Sequence, residues 1–201
     1  MRRVPKGQPD AALYQVRKEV LSLIEQQSKA GHIDLWYGDE SSVSEEGYVP
    51  YGWQFSDEKV CIEAKKGSRI NCFALLSRDN QLFYSCSEQN ITAAYVIEQL
   101  DKLSLIITKP TVVALDNARI HTAEKVKQCL EGWQNRGLFI FYLPPYSPHL
   151  NITERLWKEL KSRWLRPEEY HTADSLFYAV HLALAAVGKE LFIHFSDFNS
   201  S

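Results

Sequence analysis

Residues 111–120 read TVVALDNARI. Val112, Val113, Ala114 and Leu115 form an unbroken apolar run, as expected of a central strand covered on both faces. Asp116 stands at its carboxyl end. Working outward, Thr122 is placed to cap a helix over about 123–135, with Gly137 as its stop. The run LFIFYLP at 138–144 then predicts a further buried strand, halted by Pro144 and Pro145. The loop PPYSPHL leads into a helix over about 151–165, and a last helix is expected over about 173–188.

Upstream, DAALYQVRKEVLSLIEQQSKA at 10–30 sets Leu13, Val16, Val20, Leu23 and Ile24 at helical spacing, with Gly31 as a C-terminal cap. IDLWYGDES predicts a short buried strand ending at Gly38 and Asp39, followed by a turn-rich segment through Gly47, Pro50 and Gly52. RINCFALLSRDNQLFYSC reads as two strand runs split by Arg78, Asp79 and Asn80, the pattern of a hairpin. A helix follows at 91–104. Strands that begin as a hairpin and then alternate with helices imply an α/β domain built on one mixed sheet with helices on both faces.

Composition excludes several classes. With 45% hydrophobic and 24% charged residues in 201, the chain is that of a folded domain. No apolar run approaches the roughly 20 residues that span a bilayer, and the basic N-terminus lacks the apolar core of a signal peptide. A membrane role is therefore not expected, and the cytoplasm is. The cysteines at 61, 72, 86 and 129 are separated by 10, 13 and 42 residues, so no CxxC pair offers zinc a site. They read as reduced, mostly buried small hydrophobes. A net charge of −2 gives no global attraction for nucleic acid, so any such binding rests on local patches. One lies at 151–166, where Arg155, Lys158, Lys161, Arg163 and Arg166 outnumber Glu154 and Glu159. The segment 39–63 is instead strongly acidic.

In α/β sheets ligands gather at the carboxyl ends of strands, near the point where strand order switches. Asp39 and Asp116 close two predicted strands, and Glu154 lies near the start of the following helix. Each also has a plain structural reading. Asp39 can open a turn, Asp116 can form an Asx turn, and Asn151 with Glu154 fits a helix N-terminus. Together, three hard oxygen donors suit Mg²⁺ or Mn²⁺ rather than zinc.

The segments WYGDES, LDNARIH and FYLPPYSPHLNITERLWKELK resemble the catalytic domain of mariner-like and related bacterial insertion-sequence transposases of the DDE superfamily. The third segment, built on LPxYSPxLN, is highly specific, and the resemblance extends through PYGW at 50–53. It implies a ribonuclease H-like fold, akin to retroviral integrases, with a mixed five-stranded sheet. It also implies a catalytic and metal-binding triad of Asp39, Asp116 and Glu154, with 37 residues between the last two. The implied activity is that of an endonuclease and strand transferase in DNA transposition and integration. A pair of Mg²⁺ or Mn²⁺ ions about 3.5–4 Å apart would serve in-line displacement at phosphorus. Asn117 and His121 stand behind the ligands, and Arg119, Arg155, Lys158 and Lys161 are candidates for DNA phosphates. A buried structural histidine, and an ion pair of Glu154 with Lys158, are the plainer alternatives.

The expected partners are transposon ends and target DNA in the bacterial nucleoid, engaged by a homodimer. Relatives carry helix-turn-helix regions ahead of this domain. Residues 1–30 accordingly read as a linker and leading helix, and 31–201 as the catalytic domain. The chain is then an excised domain, the product of a split reading frame, or a remnant. The competing functions are a non-catalytic relic or dimerisation module, and a ribonuclease H-like nuclease.

Overall fold

The computed structural model describes residues 10–45 and 67–195. The linker at 1–9, the PYGW segment, Gly47 and Cys61 lie outside the described residues, as does most of the acidic segment 39–63. Five strands form one sheet: β1 (Asp34–Ser44), β2 (Arg69–Leu76), β3 (Leu82–Ser87), β4 (Thr111–Leu115) and β5 (Leu138–Tyr142). Their spatial order is β3-β2-β1-β4-β5. The first three pair antiparallel, whereas β1 with β4 and β4 with β5 pair parallel. This is the mixed five-stranded α/β sheet that the sequence predicts.

Period-two alternation divides the core between the faces. On β2, Ile70, Cys72, Ala74 and Leu76 enter one apolar cluster, while Phe73 and Leu75 enter the other. The first face is covered by α1 (Ala11–Lys29), α4 (Thr153–Glu159) and α5 (Ala173–Ala186). The second carries α2 (Ala93–Ser104) and α3 (Glu124–Asn135). Burying both faces makes β2 almost wholly apolar, each fully buried side chain contributing about 1.5–3 kcal/mol. On the α2–α3 side, Trp133 donates to Asp101 Oδ1 at 2.8 Å, joining the two helices.

Several local expectations need correction. β1 does not end at Asp39 but continues to Ser44, because its second edge keeps pairing with β2 after β4 has stopped. Thr122 does not cap α3. Its hydroxyl donates to the Ala118 carbonyl within the preceding turn, and Ala123 holds the cap position. The helix at 151–165 divides into α4 and a wider π turn over Leu160–Trp164. β5 is an edge strand, and Phe139 is exposed. On α1, Tyr14, Leu21 and Ile24 face the sheet, whereas Leu13, Val16, Val20 and Leu23 lie on the solvent side. Of the expected stripe only Ile24 packs on the sheet, and Tyr14 and Leu21 complete the buried side instead. Gly31 (φ +80°) and Gly137 (φ +89°) end α1 and α3 in the left-handed conformation that glycine adopts without strain. Among the described residues no helix is long and apolar enough to cross a membrane.

Candidate active site

The parallel register of β1 and β4 ends at Tyr37 opposite Ala114. Two residues further along each strand stand Asp39 and Asp116, side by side where the sheet's connections diverge to either side. Gly38, between Tyr37 and Asp39, leaves room for two leucine side chains of the neighbouring strands. A Cβ there would fall 2.5 Å from Leu115 Cδ2 and 2.8 Å from Leu75 Cδ2, so a larger residue would have to displace the tips of both leucines.

Glu154 is brought to the same place by two hydrogen bonds from its own turn. Asn151 Nδ2 donates to the Gly38 carbonyl at 2.9 Å, and Thr153 Oγ1 donates to the Tyr37 carbonyl at 2.6 Å. Asn151 Oδ1 also accepts from the Thr153 N–H at 3.1 Å. The residues that begin α4 are thus fastened to β1 beside Asp39. Asp39, Asp116 and Glu154 line one cleft of about 380 Å³, walled by Asn117, Leu143 and the loop 144–148. A second cleft, of about 340 Å³, shares Asp39 and Glu154 and is walled by Glu40, Ser41, Trp157, Lys158 and Lys161. Asp39 and Glu154 therefore stand on the ridge between a proline-walled and a lysine-walled hollow.

Successive residues on β1 point to opposite faces. Asp39 turns toward α4, where the buried Trp157 donates its indole N–H to Oδ2 at 3.0 Å. Glu40 turns the other way and meets His121. That imidazole is fully buried and bridges two acids, with Nε2 at 2.6 Å from Glu40 Oε1 and Nδ1 at 2.7 Å from Asp116 Oδ1. Asp116 Oδ1 also accepts from the Ala118 N–H at 2.9 Å. Tyr142 Oη donates to the His121 carbonyl at 2.9 Å, and Asn117 Nδ2 donates to the Leu143 carbonyl.

The electrostatics follow from this arrangement. Burial, then the charges of Glu154, Glu40 and Asp116, push the Asp39 carboxyl up to about 7. Burial pulls His121 down, but its hydrogen bonds to Asp116 and Glu40, with their charges, outweigh it and hold the imidazole at about 10. The hydrogen bond from His121 keeps Asp116 below the ordinary carboxylate range, against the opposing effect of burial. Burial lowers the Lys161 ammonium, whose Nζ donates to Ser41 Oγ at 2.7 Å.

The structure gathers the three predicted carboxylates and sets Asn117, His121, Lys158 and Lys161 around them. Arg155 lines neither cleft and pairs with Glu159 at 3.0 Å. Arg119 is exposed on the Asp116 loop, outside both cleft walls. The expected ion pair of Glu154 with Lys158 is not formed, and Glu154 does not reach back to cap α4. Nothing in the sequence singled out Glu40 or Trp157 as part of this site. Glu40 was detectable in one respect, since a second acid directly after Asp39 on a strand must face the opposite side.

Among the described residues no three His, Cys, Asp or Glu side chains form a closed ligand cluster as they stand. The donor set nevertheless fits a hard divalent cation. Three carboxylates share one cleft, and the excess negative charge around Asp39 is what a cation would relieve.

The chain matches the DDE superfamily endonuclease family over residues 34–177. In fold it is similar to the Mos1 transposase paired-end complex with left transposon end, at TM-score 0.54 and 15% identity, over 94% of this chain and 66% of that one. It is also similar to the mariner Mos1 paired-end complex with Mg, at TM-score 0.54 and 17% identity, over 92% and 65%. A third likeness is to a simian T-cell lymphotropic virus intasome chain, at TM-score 0.54 and 14% identity, over 80% and 50%. The chain thus spans about two thirds of the Mos1 chains and half of the intasome chain. No curated protein matches it in sequence.

Proposed function

The chain belongs to the DDE superfamily of endonucleases, and from that premise we propose that it cuts and rejoins DNA strands in a divalent-metal-dependent transposition reaction. The observation that carries this reading is the convergence of Asp39, Asp116 and Glu154 on one cleft from β1, the end of β4 and α4. These three would hold Mg²⁺ or Mn²⁺, in one or two ions. Bound there, the metal would neutralise the phosphate and make water or a 3′-hydroxyl nucleophilic at neutral pH.

The chain's own residues do the positioning. Trp157 engages Oδ2 of Asp39 and fixes how that carboxylate faces the cleft. His121, itself held by Glu40, engages Oδ1 of Asp116 and leaves Oδ2. Lys158 and Lys161 wall the adjoining hollow, where a DNA backbone crossing the ridge would meet them. In this reading residues 31–201 are the catalytic unit. Its substrates are transposon ends and target DNA, and two chains act together because two ends must be cut. The likeness to complexes described with a transposon end and with Mg supports the substrate class and the metal.

The test is a Mn²⁺ titration of wild type and Asp39→Asn by calorimetry, with nicking of supercoiled plasmid followed in the same samples. Binding and nicking that both vanish in the variant support the assignment. A wild type that neither binds Mn²⁺ nor nicks DNA overturns it in favour of a non-catalytic module. Cutting confined to RNA:DNA hybrids overturns the choice of substrate.

A further inference from the structure

The sequence spaces its cysteines too widely to suggest a pair, yet β2 and β3 bring two of them face to face. Cys72 and Cys86 occupy directly opposed positions in the antiparallel register, with Sγ atoms 3.5 Å apart and joined by a hydrogen bond. Both are free thiols.

The type of pairing decides what they can do. The turn at Arg78, Asp79 and Asn80 is a three-residue hairpin loop. Asn80 is left-handed (φ 60°), its N–H donates to the Ser77 carbonyl at 3.1 Å, and the Ser77 N–H donates to the Gln81 carbonyl at 3.0 Å. Ser77 and Gln81 are therefore a hydrogen-bonded pair. Pair types alternate along an antiparallel ladder, so Leu75–Phe83 and Phe73–Ser85 are hydrogen-bonded, whereas Cys72–Cys86 is not. Opposed side chains come closest at non-hydrogen-bonded pairs, with Cα atoms about 4.5 Å apart, inside the span that a disulfide bridges.

The two sulfurs differ in access. Cys72 is fully buried in the apolar cluster under α4 and α5, while Cys86 is only partly buried at the edge strand. We propose that Cys72 and Cys86 form a redox modification site, in which a hydroperoxide oxidises Cys86 first and Cys72 then closes an intramolecular disulfide. The Cys86 thiolate attacks the peroxide, so a sulfur–oxygen bond forms, the oxygen–oxygen bond breaks, and water or an alcohol leaves. Cys72 sulfur then attacks the Cys86 sulfenic acid. The sulfur–sulfur bond forms, the sulfur–oxygen bond breaks, and hydroxide departs with the Cys72 proton as a second water molecule. The two sulfurs together lose two electrons, which the peroxide takes up. The hydrogen bond to Cys72 lowers the Cys86 thiol against burial, while that bond, burial and the neighbouring charge raise Cys72. This order of reaction agrees with the difference in access.

The site is separate from the three carboxylates but shares their framework. Ser41, Cys72 and Cys86 form one row across β1, β2 and β3, and Lys161 donates to Ser41. A closed disulfide would staple the β2–β3 hairpin beside the lysine-walled cleft.

Treatment of the full chain with hydrogen peroxide, followed by alkylation and non-reducing peptide mapping, tests this. The wild type is expected to lose two hydrogens in intact mass, with a single linked peptide pair joining Cys72 to Cys86. Dithiothreitol should reverse both changes. In Cys72→Ser, dimedone should capture a sulfenic acid on Cys86, and in Cys86→Ser the thiol at 72 should stay unmodified at the same exposure. Links made instead to Cys61 or Cys129, or Cys86 running on to sulfinic acid in wild type while Cys72 stays a thiol, would overturn the proposal. The wild-type map alone decides the pairing, whatever either variant does to folding.

Discussion

Two neighbouring positions on β1, Tyr37 and Asp39, meet a carboxylate in opposite settings, which we call the compensated and the uncompensated end of this stretch. Near its amino end, Glu25 of α1 accepts from the Tyr37 hydroxyl and pairs with Arg78 Nε at 2.6 Å, at the edge of a cavity of about 420 Å³. A few residues on, Asp39 has only neutral donors, the Trp157 indole and the Glu40 backbone N–H, among the described residues, and three acids close enough to raise its pKa. The first carboxylate is compensated by the protein itself. The second is left with an unmet need for positive charge in a water-accessible cleft, and such a group is stable only if protonated or met by a cation from outside. Charge compensation, more than the mere presence of acids, separates a structural cluster from a reactive one.

The largest effect should come from removing that unmet charge. Asp39→Asn is expected to lower metal-dependent nicking on the order of 10³-fold, since the bound metal would supply several kcal/mol at the transition state. The same change should stabilise the metal-free fold. With a folded-state pKa of about 7, above the ordinary value, ionised Asp39 costs stability. That cost is absent below about pH 4, grows as the pH rises towards 7, and is complete above it. Thermal melts in EDTA should therefore show the variant more stable by about 1–3 kcal/mol at pH 8, and level with wild type at pH 4. A variant no more stable at pH 8 would remove the contrast between the two ends.

Next comes the imidazole that ties Asp116 to Glu40. His121→Asn should weaken Mg²⁺ binding and nicking about 10- to 100-fold, the usual cost of losing a group that orients a metal ligand. Glu40→Gln keeps an acceptor for the imidazole and should fall between this variant and wild type. Unchanged Mg²⁺ dependence in His121→Asn, measured by calorimetry, would leave the bridge with a purely structural part.

Glu25→Gln tests the compensated end. It leaves Tyr37 a partner but removes the charge facing Arg78, so the expected cost is about 1–3 kcal/mol in chemical denaturation. Nicking per folded molecule should not change. A loss of activity exceeding the loss of folded protein would mean that the two ends are coupled.

The contrast was only partly legible in the sequence. Strand order and hairpin could be read because β2 and β4 are apolar runs and because the loop at 78–80 carries turn residues. The three carboxylates could be read because they lie within specific motifs, Asp116 just after β4 and Glu154 at the start of α4, although Asp39 proved to be mid-strand. What stayed hidden depends on which way a side chain turns. Glu40 and Asp39 are neighbours in sequence but lie on opposite faces, Tyr14, Leu21 and Ile24 of α1 are buried rather than Leu13, Val16, Val20 and Leu23, and Cys72 met Cys86 through a register set by Asn80. No local pattern records these, since each is decided by which element packs on which face.

The smallest effect separates the lysines from the arginines of the basic stretch. Lys158 walls the cleft beside Asp39 and Glu154 and has no ion pair among the described residues, whereas Arg155 is turned to Glu159. If DNA crosses the ridge, Lys158→Ala removes one phosphate contact. It should lower affinity a few-fold for any sequence and reduce the slope of log K against log salt by about 1. Arg155→Ala should leave that slope alone and cost about 0.5–1 kcal/mol of stability, since the buried Glu159 keeps its second partner, Arg163, at 3.0 Å. The two residues are three apart on one short helix and carry the same charge. A difference in salt slope between them therefore reports where the backbone lies, and equal slopes would move the DNA path away from the lysine-walled cleft.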